Sequence, residues 1–208
     1  MGQHGEHGAL VRWIALFLLL SGPVQSDPLA AAAQSQVGVT ILYDPSYVRL
    51  DFPGGDLPRA RGVCTDVVIR ALRDAYGIDL QLAVNRDMKA AFGDYPKIWG
   101  LGTTDHNIDH RRVPNLETLL RRIGAADGAS DDPDDFQAGD VVSWRLKGSN
   151  LPHIGIVSTQ RSADGLRPLI THNIGRGTLT EDILFLHQMV LRARLDDVAR
   201  ARLMALVD

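Results

Sequence analysis

The chain has 208 residues, a formal net charge of −3 and a hydrophobic share of 45 %, which suits one packed domain and leaves too little for two of comfortable size. Charge near balance, with no basic block, argues against a nucleic-acid partner and offers no attraction to an anionic membrane surface. Function must therefore be read from local constellations.

In chain order, the first segment reads as a targeting signal. Arg12 precedes the apolar run Trp13-Ile14-Ala15-Leu16-Phe17-Leu18-Leu19-Leu20, and Ser21-Gly22-Pro23 and small residues follow. A positive flank, a short apolar core and small-residue cleavage options near Ser26 or Ala33 make a signal peptide over 1–33, with one domain over 34–208. The apolar run falls far short of the roughly 20 residues a membrane span requires. No cysteine stands near the cleavage options, which argues against a lipid-modified terminus. An uncleaved amphipathic anchor is the alternative. The expected location is periplasmic or secreted, with no stable membrane span after cleavage.

Cys64 is the only cysteine. Exported proteins usually carry paired cysteines or none, so a lone one points either to inert burial or to chemistry. After it, Val67, Val68, Ala71, Leu72 and Ala75 follow helical spacing, and Gly77 provides a stop. The turn-forming run Pro53-Gly54-Gly55-Asp56-Leu57-Pro58 keeps the helix from starting much earlier. Cys64 is thus expected at a helix start, among free N–H groups and at the positive end of the macrodipole. Such a place favours the thiolate and offers donors for an oxyanion.

A cysteine nucleophile needs a histidine base. Of the seven histidines, His4 and His7 fall in the leader. His106 and His110, four apart in Asp105-His106-Asn107-Ile108-Asp109-His110-Arg111-Arg112, suggest a metal site on a helix, but the segment is a poor helix interior and lacks a third ligand at a recognisable spacing. The other readings are a solvated loop or a substrate-facing wall on which Arg111 or Arg112 clamps a carboxylate. Asp66, Asp109, His110 and Arg111 are assigned to substrate binding. A helix from Asn115, as cap, to Ile123 follows, stopped by Gly124. The run Asp127 to Asp135 reads as a flexible acidic loop.

Phe136 to Leu146 and Leu151 to Ser158 then form a β-hairpin, with Pro152 and His153 opening the second arm. A third strand, Pro168 to Gly175, brings His172 beside His153, so that His172 or Asn173 can hold the imidazole in one tautomer. His187, in an apolar run, reads as structural. The tail Asp196 to Val207 is an amphipathic helix.

The order Gly139-Asp140-Val141-Val142, then His153-Ile154-Gly155-Ile156-Val157, then a histidine on the next strand is similar to that of NlpC-type peptidases. Tyr43-Asp44-Pro45-Ser46-Tyr47 to Gly54-Gly55-Asp56, Arg61-Gly62-Val63-Cys64-Thr65-Asp66-Val67-Val68 and Asn107-Ile108-Asp109-His110-Arg111-Arg112-Val113-Pro114-Asn115-Leu116 resemble the bacterial YijF-like family, the domain of unknown function number 1287, from about residue 34 to 195. The resemblance implies an α+β, papain-like (NlpC-type) domain, with a nucleophile helix packed on an antiparallel β-sheet. Its matched catalytic positions are Cys64, His153 and His172. Two departures stand: Val63-Cys64-Thr65-Asp66 replaces the NlpC-type Asp-Cys-Ser-Gly, and the stretch between Cys64 and His153 is longer. The expectation is a cysteine peptidase or amidase that needs no cofactor and no metal and acts on peptidoglycan or another peptide substrate. The rivals are an inactive module that binds wall peptides, a metal-dependent hydrolase centred on His106 and His110, and acyl transfer from the same acyl-enzyme. The sequence sets no oligomeric state.

Overall fold

A computed structural model of the chain describes residues 1–2 and 27–208. The apolar run read as the core of a signal peptide lies outside the described residues. The far end of that predicted peptide does not. Pro28–Gln34 is a helix, α1, capped by Asp27, whose Oδ1 accepts from the Ala30 N–H at 2.9 Å. Leu29, Ala30 and Ala33 are buried. A boundary after residue 33 would cut this packed helix, whereas one near Ser26 would fall before it. The small-residue run that resembles a cleavage region is here a helix face thin enough to lie against its neighbours.

α2, Cys64–Tyr76, starts and stops where the pattern predicts. Gly77 adopts a left-handed φ of 69°, its N–H bonds to Arg73 O, and Ile78 N bonds to Leu72 O, closing the last turn. Residues 64–72 are all buried, so α2 is central instead of half-wetted. α3, Leu80–Ala90, capped by Asp79, packs beside it and had no counterpart in the sequence reading. α4 is Val113–Arg122. Asn115 is not its cap: the helix opens at Val113-Pro114, where proline suits the first turn, and Asn115 donates inward to Asp109 O at 3.0 Å.

The rest of the chain builds a sheet. Its strands are β3 (Ala126–Asp127), β4 (Val141–Arg145), β5 (Pro152–Arg161), β6 (Pro168–Asn173), β7 (Thr178–Glu181) and β8 (Gln188–Ala193), and α5, Asp197–Ala205, follows. All pairings are antiparallel, in the order β3-β8-β4-β5-β6-β7. Two further residues on each of two short segments, β1 (Leu42–Tyr43) and β2 (Arg61–Gly62), pair in parallel just before Cys64. The architecture is α+β, with helices on one face of an antiparallel sheet.

Alternation along β4 and β5 splits the core in two. Val141, Ile154 and Ile156 pack under α2, whereas Val142, Trp144 and Val157 pack with Ile170, Ile183 and Leu184 on the other face. Side chains on successive strand residues point to opposite faces. His153 therefore shares the second face, and its partner across the ladder is Trp144. Among the described residues no helix is long and apolar enough to cross a membrane.

Candidate active site

Two buried arginines hold the head of α2. Arg70, whose side chain has no exposure, reaches Asp56 at 2.8 Å and the carbonyl of Leu57. Arg111 grips Asp66 with Nε at 3.0 Å and Nη2 at 3.1 Å, and donates to the carbonyls of Ser46 and Asp44. Asp66 in turn accepts from the Val63 N–H at 2.7 Å, which satisfies a donor that α2 leaves open. Gly62, just upstream, is compelled: a Cβ there would lie 2.9 Å from that of Asp66.

Of the four residues assigned to substrate binding, Arg111 alone lines the cleft beside Cys64, and all four are buried. Asp66 and Arg111 are the buried clasp just described. Asp109 is buried, accepting from the Asp105 N–H and from Arg112 at 3.1 Å, and burial pushes its carboxyl up. His110 is buried with its Nδ1 unpartnered, and desolvation holds its imidazole neutral, down to about 3. The charged stretch folds inward because it supplies the polar partners that the buried loop backbone needs. His106 stacks on Phe52 at 4.9 Å, and no group of three metal-type side chains converges among the described residues. Arg112 lies over the Trp99 ring at 4.1 Å.

Replacing Arg111 by alanine leaves the Asp66 carboxylate buried without its countercharge. The expected loss is about 3–5 kcal/mol, read as a lowered urea midpoint with an unchanged slope. A loss below about 1 kcal/mol would mean that the pair behaves like an exposed one.

Cys64 sits at the floor of a cleft of about 250 Å³, walled by Tyr43, Pro45, Trp99, Arg112, Pro114 and Pro152. Backbone N–H groups of Ile154, Thr65 and Cys64 itself lie near enough to its sulfur to favour the thiolate. The Ile154 amide is available because pairing between β5 and β6 begins only at Ile156↔Thr171. The sulfur therefore enters the sheet where two strands part, beside the backbone of the residue after His153.

The expectation of an ionised thiol is reversed. The helix-start amides do favour the thiolate, but burial outweighs them, and neighbouring Asp66 adds to it, pushing the thiol up to about 12. Burial likewise holds His153 down to about 3. At rest the thiol and the imidazole are both neutral, and the polar groups near the sulfur are backbone amides instead of the ring.

His153 and His172 come together as predicted. Nε2 of His153 lies 3.0 Å from Nδ1 of His172, with rings edge to face at 5.0 Å between centroids. Gly155 permits this approach: a Cβ there would fall 2.7 Å from Ile170 Cγ2 and 3.0 Å from His172 Cβ. Between the two candidates for holding the imidazole, the geometry selects His172. Asn173 faces the opposite way and donates to Gly62 O at 3.0 Å, tying β6 to the strand that leads into Cys64. Two features escaped the sequence reading. One is the Ile154 amide, which no residue type can announce. The other is Glu181, whose Oε2 lies 3.2 Å from His172 Nε2; its signal was a carboxylate on the strand next to that of His172.

Comparison with known proteins identifies a family and a relative. The domain of unknown function DUF1287 matches residues 30–195. The chain is 53 % identical over 162 residues, 78 % of each partner, to a protein of Escherichia coli (strain K12) that bears the name "Uncharacterized protein YijF".

Proposed function

The chain belongs to the DUF1287 family, and we propose that this member is an exported cysteine hydrolase of papain-like, NlpC-type architecture that cuts amide bonds in peptidoglycan stem peptides. One observation carries the reading. A cysteine at a helix head, on the floor of a cleft, lies beside the amide of Ile154, while His153 is bonded through Nε2 to a second histidine. That bond occupies Nε2, so proton exchange with Cys64 falls to Nδ1 of His153. No hydrogen bond joins the two at rest, because His153 leaves β5 on the face opposite the one that packs under α2, and the exchange requires the ring to turn towards the sulfur.

With both groups neutral at rest, His153 acts as a general base. Nδ1 takes the thiol proton as Sγ attacks the carbonyl carbon, and the amides of Cys64 and Thr65 receive the developing oxyanion. The imidazolium returns its proton to the leaving amine, and a thioester forms. Water, deprotonated by the same nitrogen, then releases the acid. His172 keeps the ring of His153 turned correctly, and Tyr43 and Trp99 give the cleft flat apolar walls for a peptide backbone.

Digestion of purified peptidoglycan by the mature protein, with released fragments identified by mass spectrometry, tests the proposal. The expected result is fragments with matched new amino and carboxyl ends. Fragments joined through a new amide would instead assign acyl transfer. Saturable binding to wall peptides with no fragment released would assign the inactive binding module, a reading favoured by the raised thiol.

A further inference from the structure

We propose that Glu181 is a positioning residue of this site: its carboxylate selects the tautomer of His172 and, through it, the tautomer of His153 that leaves Nδ1 bare to act as base. The inference rests on the cysteine-hydrolase reading and adds a fourth member to Cys64, His153 and His172.

Glu181 ends β7 and pairs in register with Ile170, while His172 pairs with Leu179. Glu181 and His172 are therefore diagonal neighbours on one face, within reach of long side chains. Oε2 of Glu181 lies 3.2 Å from Nε2 of His172, close but off-line, so that a small rotation completes the bond. Oε1 is held by Arg176 at 2.8 Å, which aims the carboxylate. The row runs outward from the interior: the His172 side chain has no exposure, that of Glu181 is 27 % exposed and that of Arg176 72 %.

An ionised carboxylate only accepts hydrogen bonds. Nε2 of His172 must therefore carry its proton. A neutral His172, which its burial favours, then has a bare Nδ1, which can only accept from Nε2 of His153. With Nε2 of His153 protonated and its ring neutral, Nδ1 holds a lone pair. Without Glu181 the mirror arrangement is equally satisfied: His172 donates from Nδ1, His153 accepts at Nε2 and carries its own proton on Nδ1. That form cannot take a proton from Cys64. Among the described residues no other side chain is hydrogen-bonded or ion-paired to either ring.

Nitrogen-15 spectra of the histidine rings at pH 7 read the tautomers directly. In the intact chain both rings should be protonated on Nε2; a proton on Nδ1 of His153 would overturn the proposal whatever any variant does. In Glu181→Leu a population protonated on Nδ1 should appear on both rings, and kcat on peptidoglycan fragments should fall about ten- to a hundredfold with KM unchanged. Unchanged tautomers in Glu181→Leu would refute the selection by Glu181. Because the spectra require no turnover, the expected tautomers in a protein that releases no fragments would support the selection while rejecting hydrolysis.

Discussion

Cys64→Ala should lower release of wall fragments by about 10⁴-fold or more, while the folded state survives. The size of the effect follows from the chemistry. An acyl-enzyme needs a sulfur to carry the acyl group, and the backbone amides at the head of α2 cannot replace it. Survival of the fold follows from what surrounds the sulfur. Cys64 is buried, so its removal opens a small void and takes the sulfur from beside the Ile154 amide, together about 1–2 kcal/mol. The clasps that position α2 do not pass through Cys64: Asp66 with Arg111, and Arg70 with Asp56, are untouched. Activity and urea midpoint should therefore separate in this variant. In Arg111→Ala they should fall together. Undiminished fragment release by Cys64→Ala would end the cysteine-hydrolase reading.

What the sequence disclosed was what short-range rules govern. The limits of α2 were legible because Gly77 supplies a left-handed stop and the Pro53–Pro58 turn blocks an earlier start. The β4–β5 hairpin was legible from dense β-branched residues on either side of Lys147–Asn150, and the meeting of His153 with His172 from three strands in succession. The arrangement that fails to follow from short-range rules is tertiary. Arg111 reads as a free fork and is saturated by Asp66 and two carbonyls from residues far back in the chain. Asp109 and His110 read as substrate-binding residues of a charged stretch and are interior, since the loop they belong to packs against α2 and α3. β8 hides behind an apolar run whose first half, Ile183-Leu184, is instead a plug beneath Trp144, whose indole N–H donates to Leu184 O. Most telling is the thiol: its sequence neighbours favour ionisation, and the sum of distant atoms over it reverses that preference.

That reversal makes the reactivity of Cys64 a measurable quantity. Alkylation by iodoacetamide proceeds through the thiolate. With the thiol pushed up to about 12 from an ordinary value of 9.0, the reactive fraction at pH 7 is about a thousandfold smaller than for a free cysteine. The expected rate is lower by about that factor, rising tenfold per pH unit until the protein unfolds. His153→Ala should leave the rate nearly unchanged, because the imidazole is neutral at this pH and supplies no countercharge. The same shift has a consequence for stability. The folded state keeps its thiol proton where the unfolded chain has lost it, so stability conferred by the neutral thiol is complete below pH 9.0 and drains away as pH climbs towards about 12. Cys64→Ala should flatten that alkaline decline. Fast alkylation at pH 6 that His153→Ala abolishes would establish a preformed thiolate–imidazolium pair, and the general-base step would give way to direct attack by an ionised sulfur.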